Sequence, residues 1–140
     1  MVEPIFLIIG LVEANVEVAA APHLGLQAIA GYGGIYGSQI GELGAEANIY
    51  VRRQMTGLHF GTELKYLWGS GGVPFVPQSQ SHVTERELAI YAGYKWVGWK
   101  SITTVAQLGV ARLDLSGDVP MDTKKTQIIP AANLVVGYSF

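Results

Sequence analysis

The side chains best placed to do chemistry are the glutamates Glu13, Glu17, Glu42, Glu46, Glu63, Glu85 and Glu87. They fall on alternate residues of extended stretches. Arg52, Lys65 and Lys95 share their parity, and His59, Asn15, Asn48, Gln27, Gln107 and Asn133 add neutral partners. Carboxylates crowded into one narrow space must find counter-ions or share protons, because like charges a few ångströms apart disfavour joint ionisation. Such a set therefore reads in two ways. One is a gated cation path or proton-sensitive plug. The other is a salt-bridge and hydrogen-bond network that fills an interior barely wide enough for side chains. The narrowness of such an interior favours the network.

Covalent chemistry has thinner support. His59 and Glu63 share a strand face, but no serine stands beside them for a hydrolytic triad. Ser79, Ser81, His82 and Glu85 cluster at the end of a long connection, where a lipid hydrolase could place its site. Serine is common in loops for other reasons, so no catalytic role is assigned and the chain is not read as an enzyme. The histidines lie far apart and there is no cysteine, so no metal-ligand spacing and no cofactor are expected. Gly31-Tyr-Gly-Gly34 lacks the strand–turn–helix context of a phosphate loop. Glycine inside a strand pattern instead marks bends or room for large neighbours. Arg52-Arg53 could touch lipid phosphate, although a solvated pair near a turn explains them as well.

What positions these groups is a period of two. Leu43, Ala45, Ala47, Ile49 and Val51 alternate with Glu42, Gly44, Glu46, Asn48, Tyr50 and Arg52. Leu58, Phe60, Thr62, Leu64, Tyr66 and Trp68 alternate with His59, Gly61, Glu63 and Lys65. Leu88, Ile90, Ala92, Tyr94 and Trp96 oppose Glu85, Glu87, Ala89, Tyr91, Gly93 and Lys95. The last stretch sets Ile128, Pro130, Ala132, Leu134, Val136, Tyr138 and Phe140 against Gln127 to Ser139. Weaker versions run through 5–20, 24–36 and 101–113. Each is a strand with one apolar and one polar or small-residue face. At roughly 13–16 residues they exceed the ~5–6 of globular strands and the ~9–11 that cross a bilayer when tilted.

Composition points the same way. Charged residues are 14% of the 140, mean hydropathy is +0.29, and glycine numbers 18. Soluble domains carry about 25% charge, yet no uninterrupted apolar run reaches the ~18–20 residues of a membrane helix. The formal charge of -2 offers no electrostatic case for nucleic acid. Glu3, Glu13 and Glu17 break up the first 21 residues, which argues against a cleavable signal there; a mature chain with Met1 in place of its own signal is expected. No composition shift divides the chain, so residues 1–140 are read as one domain. Connections are short near 21–23, 37–39, 53–56 and 98–100, and long at 69–83 and 114–125. Tyr66 and Trp68 end an apolar face at the long-loop side, while Tyr94, Trp96, Tyr138 and Phe140 end apolar faces at the other. Two interfacial girdles look like this. The reading is an all-β, antiparallel, up-and-down transmembrane β-barrel. Seven strands are read directly, and eight are expected because such barrels use even numbers.

The final residues, Asn133-Leu-Val-Val-Gly-Tyr-Ser-Phe140, resemble the terminal assembly signal of bacterial outer-membrane proteins, with Tyr138 and Phe140 at its two aromatic positions. Gly137 stands closer to the end than that pattern usually has it. Ala30-Gly-Tyr-Gly-Gly-Ile-Tyr-Gly37 and Ile90-Tyr-Ala-Gly-Tyr94 look like strands of the small eight-stranded OmpA/OmpX-like barrels. The resemblance implies an outer-membrane location, lipid bilayer and lipopolysaccharide as surroundings, and insertion by the barrel-assembly machinery through the C-terminal strand. It implies no single biochemical function, because that architecture hosts many. The expectation is a structural or surface-interaction protein with a side-chain-filled polar lumen and loops 69–83 and 114–125 as its contact surface. Its rivals are a narrow channel lined by the acidic set and a soluble calycin-like barrel around an apolar ligand, in which the inside and outside lists would exchange.

Overall fold

A computed structural model describes residues 11–35, 38–52, 55–70, 82–98, 101–117 and 126–138. These residues form seven strands: β1 (Leu11–Ala21), β2 (Leu24–Ile35), β3 (Ser38–Tyr50), β4 (Gly57–Ser70), β5 (His82–Val97), β6 (Ile102–Gly117) and β7 (Thr126–Tyr138). They lie in one sheet in chain order, and every neighbouring pair is antiparallel. The up-and-down topology expected from the sequence is present. The expected eighth strand is not among the described residues, and β1 and β7 do not pair, so the sheet is open. Strands also run further than the pattern suggested. Gly69, Ser70, His82 and Val83 extend β4 and β5, and Asp114 to Gly117 extend β6, each taken from a stretch read as loop.

Local chemistry explains the turns. Pro22 and His23 make a tight connection after a register shift between Ala19 and Ala21. Proline arrives with its φ already fixed, which suits a turn. His23 is pinned to the end of β3, accepting from Tyr50 N at 2.8 Å and placing Nδ1 2.9 Å from Tyr50 O. Between β3 and β4 the chain reverses through Met55 (φ 50) and Gly57 (φ 82), and Ser101 (φ 62) turns it into β6. Glycine takes such a φ without the steric cost that a Cβ adds.

The sheet is strongly curled. Adjacent strands are ~4.8 Å apart, so β1 and β5 in a flat sheet would be separated by roughly 19 Å. Instead Lys95 Nζ of β5 lies 2.7 Å from Glu17 Oε2 of β1. Curling sends one parity of every strand inward, and that parity carries the charged groups, with Glu13 and Glu63 1% and 2% exposed and His59 fully buried, beside apolar residues such as Ile29, Val105 and Val135. The other parity stands outside, where Leu108 is 71% and Ile128 77% exposed. The apolar interior is small, centred on Ala89, Tyr91 and Ala111 with Leu113 and Ala131 against them.

Glycines face large side chains across the ladders, so the interior interdigitates without cavities at those points. The Glu42 carboxylate lies where a Cβ on Gly31 would stand, and the Ile90 carbonyl occupies that place over Gly109. A Cβ on Gly93 would sit 2.7 Å from His59 Nε2, His59 Cε1 and Gln107 Cγ. Gly93→Ala should therefore cost about 1–3 kcal/mol, the usual range for overpacking. Denaturant unfolding checks this, and an unchanged midpoint would show that the interior has slack.

Candidate functional site: the polar interior

Three clusters stack along the inside of the curled sheet. At the end that carries the short turns, Glu17 is the hub. It takes Lys95 Nζ at 2.7 Å, the Tyr50 hydroxyl at 2.8 Å and Asn48 Nδ2 at 3.4 Å. The Lys95 ammonium also lies 5.7 Å from the centre of the Tyr50 ring, whose π-face favours a cation. Tyr50 in turn packs on His59, with ring centroids 5.0 Å apart.

The middle cluster is built on Glu46. Gln107 Nε2 donates to Glu46 Oε1 at 2.6 Å and Gln27 Nε2 donates to Glu46 Oε2 at 3.0 Å. With its NH2 turned to Glu46, the Gln107 amide leaves Oε1 to accept from Asn133 Nδ2 at 3.4 Å. The same NH2 lies 3.1 Å from His59 Nε2, which is thereby the accepting nitrogen. His59 Nδ1 then carries the proton and points at Gly57 O, 3.4 Å away. Both ring nitrogens are engaged by the protein itself.

Towards the long-loop end, Lys65 Nζ lies 3.3 Å from both Glu13 Oε2 and Glu63 Oε1. The Tyr91 hydroxyl donates to Glu63 Oε1 at 3.2 Å. Glu42 joins this layer from β3, opposite Gly31. Among the described residues, Glu13 Oε1, Glu42 Oε1 and Asn48 Oδ1 are buried without a hydrogen-bond partner. Glu85 and Glu87 continue the inward parity at that end and are half-buried.

Of the sequence-predicted lumen residues, Glu13, Glu17, Glu42, Glu46, Asn48, His59, Glu63, Lys65 and Lys95 are brought together inside. Arg52 is a correction. The β3 alternation ends at Tyr50, the chain bends through Val51 and Arg52, and Arg52 is exposed at the turn rather than in the lumen. It lines the rim of a cavity of ≈ 840 Å³ with Met55, Thr56 and Gly57, which reaches in to Glu17 and Lys95. Tyr50 and Tyr91 belong to the network as well, bonded to Glu17 and Glu63, and their place on the polar parity is the sequence signal for them. Tyr66 and Trp68 pair with ring centroids 6.0 Å apart, and Tyr94 and Trp96 at 4.6 Å, all exposed on the outward parity with Tyr138. Phe140, Ser79 and Ser81 lie outside the described residues. No group of three or more His, Cys, Asp or Glu among the described residues is arranged to hold a metal ion.

Two lysines from β4 and β5 meet glutamates of β1 across the interior, Lys65 with Glu13 and Lys95 with Glu17. Comparison with known protein families, characterised proteins and solved structures finds no match to this chain.

Removing one partner of a buried pair leaves an uncompensated charge, at a cost of about 3–5 kcal/mol. Lys95→Met should show that loss in denaturant unfolding, and Glu17→Gln combined with Lys95→Met should recover most of it. A Lys95→Met protein as stable as the parent would mean that water already solvates Glu17.

Proposed function

We propose that this chain is a membrane-embedded β-barrel of a bacterial outer membrane, plugged by its own side chains, with a structural or surface-interaction role. The observation that carries the reading is the inversion of polarity. Large apolar side chains stand exposed on every strand, from Val12, Val16 and Leu26 to Leu134, Val136 and Tyr138, while Glu13, Glu46, His59, Lys65 and Lys95 are buried. In water this arrangement would expose the greasy face and bury the charges, against both hydrophobic burial and ion hydration. In a bilayer the same arrangement is favourable on both counts. Strands of 11 to 16 residues suffice to cross the hydrocarbon when tilted. The connections that contain 71–81 and 118–125 leave from one end, and the Tyr66–Trp68 and Tyr94–Trp96 pairs stand at opposite ends. Both features fit a surface-facing end with contact loops and two aromatic belts. A soluble barrel around an apolar ligand would require the reverse parity.

A narrow cation path is the second reading, favoured by one observation. The inward set holds seven glutamates (Glu13, Glu17, Glu42, Glu46, Glu63, Glu85, Glu87) against Lys65 and Lys95. The bridges from β1 to β4 and β5 across the interior support the plug instead.

The expected behaviour is folding only in the presence of detergent or lipid, with the unheated gel band migrating apart from the heated one. A monodisperse, β-rich protein in plain buffer would remove the membrane reading. Planar-bilayer recording then separates the two roles. The plugged barrel gives no steady openings, whereas a reproducible cation-selective conductance would establish the path.

A further inference from the structure

The outward parity is apolar or neutral along all seven strands, with one interruption. Among the described outward-facing strand positions, the charged side chains are Arg86, Arg112 and Asp114. They form a single patch. Arg86 is paired in register with Asp114, Asp114 with Thr126, and Arg112 stands between Leu88 and Ile128. The patch lies at the long-loop end, beside the Tyr66–Trp68 pair, because Tyr66 is opposite Arg86 and Trp68 opposite Thr84. Arg112 is set one outward position deeper than Asp114 and turns back towards the rim, where its Nε lies 3.2 Å from Asp114 Oδ2. Asp114 Oδ1 accepts from the Thr126 hydroxyl at 2.7 Å. Arg112 and Asp114 side chains remain 58% and 43% exposed. The Arg86 residue is exposed too, and its charge acts on the Asp114 carboxylate across the ladder.

Two guanidiniums against one carboxylate leave the patch net positive on a surface that is otherwise apolar. A long cationic side chain at that level lays its stem along apolar surface and carries its head to the polar layer. A planar guanidinium matches the oxygens of a phosphate with two parallel donors. We propose that Arg86 and Arg112 bind the phosphate of an anionic membrane-lipid headgroup, at the outer face of β5 and β6 beside Trp68. This rests on the membrane reading and adds to it a site and a ligand class.

Trp68 is the local reporter. In a Trp96→Phe, Trp99→Phe background the protein is refolded into phosphatidylcholine vesicles, and Trp68 fluorescence is quenched by brominated phosphatidic acid or brominated phosphatidylcholine. Two guanidiniums near an anionic lipid are expected to favour phosphatidic acid at the contact site by about thirtyfold. Arg86→Gln with Arg112→Gln should abolish that preference, and Asp114→Asn, which removes the competing carboxylate, should raise it. Millimolar inorganic phosphate should leave it unchanged.

Equal quenching by both lipids, or a preference that survives the double arginine substitution, overturns the proposal while the heat-shifted band still reports a folded barrel. Loss of the preference to inorganic phosphate overturns the lipid assignment in favour of a free anion. Absence of quenching by either lipid removes the membrane reading, and the headgroup site with it.

Discussion

The ion pair between Glu17 and Lys95 is the constraint on which the rest of the molecule turns. It joins the first strand to the fifth at 2.7 Å, a contact that only a tightly curled sheet allows. Curling brings the inward side chains of distant strands face to face, so most of the buried charged and amide groups meet one another. It also commits the opposite parity of every strand to the outside. The polar interior and the apolar exterior are thus two consequences of one geometry. Burying ionised groups is expensive unless they are paired and hydrogen-bonded, and the phenol of Tyr50 and the amide of Asn48 complete the shell of Glu17.

The register of the ladders is maintained by size as much as by charge. A slip of one residue would turn the inward glutamates outward and outward leucines such as Leu43, Leu64 and Leu88 inward. A slip of two keeps the parity but takes His59 from over Gly93 to face Tyr91 or Lys95. Glycine in these strands therefore specifies pairing. The Glu46–Gln107–His59 chain adds direction, because one amide NH2 serves both Glu46 and His59 and so ties β3, β4 and β6 together.

Seven up-and-down strands leave β1 and β7 running in the same direction. Direct closure between them would need a parallel ladder, whereas one further strand running the opposite way would make antiparallel ladders with both. Unpaired backbone at a sheet edge is costly in hydrocarbon, where no water satisfies it. The open edge is for that reason the place where the membrane reading makes its strongest demand on the fold.

Much of this was legible in the residues alone. The alternation of Leu43 to Val51 with Glu42 to Tyr50, and of Leu58 to Trp68 with His59 to Lys65, determined the strands and the two faces, because a strand sends successive side chains to opposite sides. The aromatic pairs at strand ends followed from the same parity. What the sequence could not decide was where each alternation stops and which inward groups meet. Arg52 kept the parity but fell beyond the last ladder pair of β3, where a bend carries it to the surface. The partnership of Glu17 with Lys95, 78 residues apart, and of Lys65 with Glu13, 52 apart, depends on the curl of the whole sheet. Local pattern sets which way a side chain points, but only the closing radius of the tertiary structure sets what stands opposite it.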